Sequence, residues 1–224
     1  MKKNIMKVEE YKLGQYNSKG LYNSYKKNNK ERAELDYYAT PSCEVRNILD
    51  TLGLDLHHKV VLEPCIGGGH MLNAIVDYCD DNNMSPILIG TDFKDREYNN
   101  ERANIKYDLD FLADDYPVPT ADVIIMNPPY ATLEPFLIRA LEIAKDYLVV
   151  LCRTQVIEGE GRYNNIFTDN PPTYIYQYVN RIQCWRNGEK PTGSSAQAYC
   201  WLVWDKSQPG VEPILRWIKR SEGY

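Results

Sequence analysis

Short apolar segments, each closed by glycines, a carboxylate or an amide, constrain the fold of this 224-residue chain more than any other feature. Residues 58–62, 86–91 and 123–126 have the length and apolar content of buried strands, and a shorter strand is predicted around Ile105. Apolar positions at helical spacing follow the first strand. Alternation of strands with helices is typical of an α/β protein with a parallel sheet. We therefore predict a doubly wound, mostly parallel α/β sheet in a single domain, with ligands at the carboxyl ends of its strands.

The segment after the first strand, residues 63–69 (Glu-Pro-Cys-Ile-Gly-Gly-Gly), predicts a ligand-binding loop. Glycines let the backbone adopt positive φ and approach a ligand closely. A nucleotide-like cofactor fits such a loop between a strand and a helix. The dinucleotide fingerprint would require a third glycine near position 72, which is Leu72, so NAD is the weaker choice. A purely structural glycine turn is the alternative.

Two carboxylates follow the next strands in chain order. Asp92 comes directly after the strand at residues 86–91, a position at which a carboxylate typically binds ribose hydroxyls. Asp110 stands beside Phe111 after the third strand, and this pair offers an acceptor and a ring to an adenine. Each acid taken singly also fits a solvated loop residue. Their order after the glycine loop favours a cofactor site along one edge of the sheet.

The strand at residues 123–126 ends in Asn127-Pro128-Pro129-Tyr130, a combination that suits a planar amino substrate. The lone pair of an exocyclic amine is delocalised into its ring, so the amine needs acceptors for its two hydrogens. Asn127 offers a side-chain carbonyl, and Pro128 offers a backbone carbonyl held by the restricted geometry of a proline pair. Tyr130 can stack on the planar group. Two fixed acceptors would stabilise the charge that develops on the nitrogen. The structural alternative is a strand that ends in a proline turn.

With these motifs in this order, the chain resembles the S-adenosylmethionine-dependent amino methyltransferases that modify adenine N6 in DNA, in particular small members common in phages and prophages. Residues 38–41 are similar to the family's Tyr-x-Thr-Pro motif, residues 63–69 to its acidic glycine loop and residues 127–130 to its catalytic motif. The catalytic residues that this resemblance implies are Asn127, Pro128, Pro129 and Tyr130. The cofactor-binding residues that it implies are Tyr38, Thr40, Glu63, Pro64, Gly67, Gly69, Asp92, Asp110 and Phe111.

The resemblance, which covers residues 37–206, also implies an architecture and a reaction. The expected architecture is the seven-stranded, Rossmann-like sheet of these enzymes. The expected reaction is transfer of a methyl group from S-adenosylmethionine to N6 of an adenine flipped out of the DNA duplex, without a metal. The same tetrapeptide occurs in methyltransferases that act on RNA bases or on glutamine side chains, and a non-catalytic nucleic-acid-binding relative is a third alternative. Met71 stands where the family usually has phenylalanine, which should alter packing more than chemistry.

The chain leaves little room for a separate target-recognition domain. Only 16 residues separate Asp110 from Asn127. We divide the chain into a basic arm at residues 1–36, a methyltransferase domain at 37–206 and a C-terminal tail at 207–224. Choice of a DNA sequence would then come from loops, from a homodimer or from a recognition partner, or would be relaxed. Residues 153–196 interleave arginines with aromatic residues and are a candidate nucleic-acid surface, although part of this stretch alternates as a strand does.

Charge is distributed unevenly along the chain. Residues 1–35 carry nine Lys or Arg and four Glu, whereas the whole chain has a net charge of −5. This Asn- and Tyr-rich arm either contacts DNA phosphates or is a flexible, solvated tail. No apolar run approaches the ~18 residues of a membrane-spanning helix, and no apolar signal region follows the start, so we expect a soluble protein of a bacterial or phage-infected cytoplasm. The six cysteines form no C-x-x-C pair, which favours reduced thiols over disulfides or a metal site.

Overall fold

The structure, a computed structural model of the chain, describes residues 36–192 and 197–222. The basic arm predicted at residues 1–36 therefore lies outside the described residues, apart from Asp36. The strands are β1 (Tyr38–Ala39), β2 (Val60–Glu63), β3 (Ile87–Thr91), β4 (Ala103–Lys106), β5 (Ala121–Met126), β6 (Ala144–Arg153), β7 (Tyr174–Tyr178), β8 (Trp185–Arg186), β9 (Tyr199–Asp205) and β10 (Ile214–Ile218). The helices are α1 (Ser42–Leu52), α2 (His70–Asp81), α3 (Leu133–Ile143) and the single turn α4 (Glu160–Arg162).

Five of the eight described strands in the main sheet are parallel neighbours, in the order β4-β3-β2-β5-β6. Their side chains alternate between two apolar cores because successive residues of a strand point to opposite faces. In β5, Val123 and Ile125 belong to one core, whereas Ile124 and Met126 belong to the other. Burial on both faces explains the continuous apolar runs that the sequence shows at these strands.

Three further strands extend the sheet in the order β6-β9-β7-β10. β9 is antiparallel to β6 and to β7, and β10 is parallel to β7. The prediction of a doubly wound, mostly parallel α/β sheet is confirmed, although the sheet formed by the described residues has eight strands and not the expected seven. The eighth strand, Ile214–Ile218, comes from the segment that the sequence assigned to a C-terminal tail. Its pairing with β7 makes part of residues 207–224 an edge of the sheet.

Helices cover both faces of the sheet. α1 and α2 pack on one face, where Ile48, Leu49, Leu72 and Ile75 are fully buried. α3 packs on the opposite face, in the second apolar core. Within the described ranges, no helix is long and apolar enough to cross a membrane.

A two-stranded antiparallel sheet lies beside the main sheet. β1 pairs with β8, so that Tyr38 is opposite Arg186 and Ala39 is opposite Trp185. This pairing joins the segment before α1 to the segment after β7. Because Tyr38 also contacts Asn127 at the end of β5, the small sheet lies at the carboxyl edge of the main sheet, where the predicted site residues converge.

Candidate active site

Asn127 follows β5 directly and is held by the segment around β1. Its amide nitrogen donates to the main-chain oxygen of Tyr38 at 2.8 Å and to Thr40 Oγ1 at 3.1 Å. These contacts engage both hydrogens of the amide and fix its orientation, since the carbonyl end must then point away from them. No described residue donates to Asn127 Oδ1, which is therefore an acceptor for an incoming group.

The main-chain carbonyls of the tetrapeptide differ in their partners. The N–H of Thr132 donates to the Pro129 oxygen at 3.0 Å, and Cys65 Sγ lies 3.5 Å from the main-chain oxygen of Asn127. No donor from the described part of the chain contacts the Pro128 oxygen. The tetrapeptide thus keeps a second acceptor, on a backbone that the proline rings restrict.

The ring of Tyr130 lies in a cluster of aromatic and cationic groups. The guanidinium carbon of Arg153 is 4.3 Å from the ring centroid, and the ring of Tyr38 is 5.7 Å away and tilted by 36°. The Tyr130 hydroxyl donates to the Tyr199 hydroxyl at 3.3 Å. Burial raises the pKa of Tyr130 well above its ordinary value, so the phenol is neutral at physiological pH.

A buried thiol packs against the amide of Asn127. Cys184 Sγ is 3.9 Å from the Asn127 amide nitrogen. Burial raises the pKa of Cys184 to about 12, so the group is a neutral thiol and not a thiolate nucleophile. All six cysteines are free of disulfide bonds. Cys184 therefore supports the amide by packing and supplies no chemistry of its own.

A pocket extends from Asn127 along the carboxyl ends of β2 and β3. It brings together eight of the thirteen residues that the sequence assigned to catalysis or to the cofactor. These eight residues are Tyr38, Thr40, Glu63, Pro64, Asp92, Phe111, Asn127 and Pro129. The five that lie outside the lining are Gly67, Gly69, Asp110, Pro128 and Tyr130.

Asp92 is held at the pocket by main-chain donors. Its Oδ2 accepts the N–H of Gly67 at 2.8 Å, and its Oδ1 accepts the N–H of Lys94 at 2.9 Å. Each oxygen keeps a further lone pair for a hydroxyl donor. Burial raises the pKa of Asp92, while these two N–H donors and the Arg96 guanidinium oppose that rise. The carboxylate is therefore fixed in place and still able to accept hydrogen bonds from a ligand.

Glu63, the last residue of β2, is 3% exposed, and its Oε2 has no hydrogen-bond partner within residues 36–192 and 197–222. Burial and the neighbouring Asp92 carboxylate raise the pKa of Glu63 well above its ordinary value. An orphaned carboxyl oxygen at a pocket wall is costly unless a donor or a cation pairs with it. The pocket therefore suits a ligand that carries an ammonium or sulfonium group better than an anionic one.

Two tyrosine rings pack against the glycine loop. A Cβ on Gly67 would lie 2.1 Å from the Tyr37 ring, and a Cβ on Gly69 would lie 2.2 Å from the Tyr98 ring. Both glycines have positive φ, of 53° and 78°. The Tyr37 hydroxyl also accepts the N–H of Gly68 at 2.9 Å. Glycine is required here for the backbone conformation and for the close approach of these rings.

The Asp-Phe pair is divided between two environments. Phe111 lines the pocket, and its ring centroid lies 4.9 Å from that of Phe136 and 5.2 Å from that of Tyr116. Asp110 Oδ1 accepts the main-chain N–H of Leu112 at 3.0 Å, a local contact that stabilises the turn. The ring is thus a buried part of the pocket wall, whereas this oxygen of Asp110 is engaged by the turn.

Tyr37 and Arg96 are among the pocket residues that the sequence did not predict. Tyr37 lines the pocket, and the guanidinium carbon of Arg96 lies 4.3 Å from the centroid of its ring. The doublet that Tyr37 forms with Tyr38 was the available signal for the first. Arg96 stands in an irregular loop with no periodicity, so the sequence offered no signal for it.

The candidate nucleic-acid surface at residues 153–196 divides into structural and accessible side chains. Arg162 donates to three main-chain carbonyls of the preceding loop and so closes that loop. Tyr176 and Tyr178 are buried in β7, whose alternation the sequence had indicated. Tyr163, by contrast, is 59% exposed. Several of the residues that the sequence placed on a nucleic-acid surface therefore pack in the core or stabilise a loop.

Comparison with protein-family models and with curated protein sequences gives no match. Solved structures are similar at low identity. A protein from Listeria monocytogenes described as a class I S-adenosylmethionine-dependent methyltransferase is 14% identical, with a TM-score of 0.62 over 96% of this chain and 76% of that one. The chain has the Rossmann-like fold of this methyltransferase. At such identity the similarity shows the fold alone.

Two further structures share this fold. The methyltransferase subunit of a type I restriction-modification system from Streptococcus thermophilus is 12% identical, with a TM-score of 0.59 over 89% of this chain and 48% of that one. A protein from Pyrococcus horikoshii described as an RNA methyltransferase is 17% identical, with a TM-score of 0.53 over 79% of this chain and 91% of that one. The chain thus spans about half the length of the restriction-modification subunit.

Proposed function

We propose that the protein transfers a methyl group from S-adenosylmethionine to the N6 amino group of adenine in DNA. The orientation of Asn127 carries this proposal. With its amide hydrogens bound to Tyr38 and Thr40, Oδ1 is a fixed acceptor for an incoming amine, and the Pro128 oxygen is a second. Two acceptors complement the two hydrogens of an exocyclic amine and stabilise the positive charge that grows on its nitrogen.

The pocket next to Asn127 supports S-adenosylmethionine as the methyl donor. Glu63 offers a buried carboxyl oxygen that pairs with a cation, Asp92 has lone pairs for ribose hydroxyls, and Phe111 presents a ring. When bound, S-adenosylmethionine supplies a methyl group on a positively charged sulfur, so the new N–C bond forms as the S–C bond breaks and the N6 proton passes to water.

The protein's own contribution is to bind and orient. Tyr130 provides a neutral ring for a planar base, and Asn127 with Pro128 holds the amino group towards the cofactor pocket. Because the nitrogen gains positive charge as the new bond forms, its proton becomes acidic and passes readily to water. No strong general base is therefore needed, and alignment of the two reacting atoms supplies most of the acceleration. A DNA base must leave the duplex to reach these residues.

The polymer is the part of this proposal that most needs a test, since a restriction-modification methyltransferase subunit and a protein described as an RNA methyltransferase share the fold. Purified protein would be incubated with labelled S-adenosylmethionine and, separately, with unmethylated duplex DNA, RNA or a protein extract. Each product would then be digested and analysed by mass spectrometry. We expect N6-methyladenine in the DNA alone.

Label confined to RNA or to glutamine would keep the methyl-transfer chemistry and overturn the DNA assignment. Cofactor binding without transfer to any polymer would overturn the proposed activity and favour a non-catalytic binding protein. Asn127→Ala is the matched control, because it removes the acceptor that defines the site and should yield no label in any of the three polymers.

A further inference from the structure

Arg153 is the last residue of β6 and extends beyond the end of the neighbouring catalytic strand. Val150 of β6 is paired with Met126, the last residue of β5. β6 then continues for three more residues, and Arg153 itself is paired with Tyr199 of β9. The register therefore places Arg153 next to the tetrapeptide that follows Met126.

The guanidinium of Arg153 lies over the catalytic tyrosine ring. Its central carbon is 4.3 Å from the ring centroid of Tyr130, within the range of a cation–π contact. No carboxylate of the described residues forms an ion pair with Arg153. The cation is thus held beside the Asn127–Tyr130 tetrapeptide by an aromatic face and not by a salt bridge.

Arg153 also carries an unsatisfied donor. Its Nε is buried and has no hydrogen-bond partner among the described residues. The nearby Arg162 is a contrasting case, because its guanidinium donates to three carbonyls. A buried donor without an acceptor is destabilising, and such a group in a native structure calls for an explanation. For Arg153, an acceptor on a bound base would provide it.

We propose that Arg153 is a specificity-determining residue that donates a hydrogen bond to a ring nitrogen next to the amino group of the substrate base. This inference rests on the proposed function. In adenine, the ring acceptors N1 and N7 flank the amino group on its two sides. Acceptors from Asn127 and Pro128, combined with a donor from Arg153, would therefore match the amino group and one adjacent ring nitrogen.

The same arrangement would disfavour guanine. Its Watson–Crick edge presents an N–H beside the amino group, which would meet the donor of Arg153 and leave both groups unpaired. Cytosine keeps an acceptor beside its amino group and differs from adenine mainly in size. The hydrogen bond from Arg153 would thus contribute discrimination against guanine above all.

Arg153→Met is the principal test, because methionine keeps an apolar contact with the Tyr130 ring and removes every donor. We expect kcat/KM for DNA to fall about 10- to 100-fold, the effect of losing a hydrogen bond to a charged group, while the affinity for S-adenosylmethionine is retained. The matched control is Arg216→Met. Arg216 also lies over a tyrosine, at 4.7 Å from the ring centroid of Tyr174, but on the edge strand β10, and its replacement should leave kcat/KM unchanged.

Substrate analogues show whether the lost interaction is the proposed hydrogen bond. Duplexes would carry adenine, 1-deazaadenine or 7-deazaadenine at a target site, and each would be assayed with wild-type protein and with Arg153→Met. We expect one analogue to reduce the wild-type rate by the factor that the substitution costs on adenine. With that analogue, the substitution should cause no further loss.

Three results would overturn the inference: an Arg153→Met variant as active as Arg216→Met, an equal loss on adenine and on both analogues, or a parallel loss of cofactor affinity. Failure of the proposed function itself would be seen earlier and separately, because wild-type protein would then transfer no methyl group to adenine-containing DNA.

Discussion

The two halves of the sheet's carboxyl edge, which meet at Asn127, carry opposite kinds of side chain. On the cofactor half, over β2 and β3, the buried Glu63 and the half-buried Asp92 present carboxyl groups to the pocket. On the substrate half, beside β6 and β9, the Arg153 guanidinium lies over Tyr130, whose hydroxyl bonds that of Tyr199.

Under the proposed function, one sheet edge would hold two unlike molecules side by side. The buried Glu63 carboxyl, whose Oε2 has no hydrogen-bond partner within the described residues, favours a positively charged ligand. Neutral phenols and a cation favour a neutral aromatic base that belongs to a polyanion. Each half therefore disfavours the ligand of the other, and Asn127 lies where the two would meet.

Replacement of Asn127, which lies between the two halves of the edge, should have the largest effect on the rate of methyl transfer. Asn127→Ala removes one of the two acceptors for the amine, and we expect the rate of methyl transfer to fall about 10³-fold, as for loss of a preorganised polar group at a reacting centre. Cofactor affinity, measured by isothermal titration calorimetry, should be nearly unchanged. A loss of cofactor binding as large as the loss of rate would place Asn127 in the cofactor half instead.

Asp92→Ala should affect the binding of S-adenosylmethionine and not the groups that hold the base. Loss of a charged acceptor for the ribose hydroxyls should weaken S-adenosylmethionine binding by about 10- to 100-fold. Asp92→Asn is the matched variant, since it keeps the size and one acceptor oxygen and should lose less affinity. An unchanged dissociation constant in Asp92→Ala would remove this residue from the ribose site.

Glu63→Gln tests whether the buried Glu63 carboxyl ionises, through the pH dependence of the folding stability. Because the pKa of Glu63 is raised in the folded protein, the folded state binds a proton more tightly than the unfolded chain does. This contribution to stability is fully present below the unfolded pKa of about 4.3 and is lost as the pH rises through the higher folded pKa.

Melting temperatures of the cofactor-free protein, measured from pH 4 to pH 8, would show this effect. We expect the wild type to lose more stability than Glu63→Gln over that range. We also expect S-adenosylmethionine to restore more stability to the wild type, since only the carboxylate pairs with its positive charge. Parallel melting curves for the two proteins would contradict an ionisable, unpaired Glu63.

The smallest effect is expected from Tyr37→Phe, which removes the hydrogen bond from the Gly68 N–H. A hydrogen bond of this kind contributes about 0.5–1.5 kcal/mol, which corresponds to a decrease of about 1–6 °C in melting temperature for a domain of this size. The exposed Tyr163→Phe is the control and should melt as the wild type does. A decrease of the same size in both variants would show that Tyr37 has no special role in the loop.

The cofactor half was more predictable from the sequence than the substrate half. Glu63 and Asp92 each end the strand that precedes them, so a local pattern of apolar residues and one acid was sufficient to place them. Arg153 and Tyr199 meet Tyr130 through antiparallel pairing of β6 with β9. The local sequence does not predict the register in which β6 pairs with β9.

The dependence on long-range contacts also explains the other differences between the sequence-based prediction and the structure. β10 pairs only at the edge of the sheet, and its residues Ile214 and Leu215 are about half exposed, so its segment lacks the pattern of a buried strand. The hydrogen bond from the Leu112 N–H to Asp110 could not be predicted either, because the sequence does not indicate whether an acidic side chain accepts from a ligand or from its own turn.

The central claim is most directly tested by the position of the transferred methyl group. Wild-type protein and Asn127→Ala would each be incubated with unmethylated duplex DNA and S-adenosylmethionine that carries a deuterated methyl group, and the released nucleosides would be fragmented in a mass spectrometer. We predict the deuterated methyl group on N6 of deoxyadenosine with the wild type and none with the variant. Label on cytosine or on a ring nitrogen, or equal label with both proteins, would contradict the role assigned to this site.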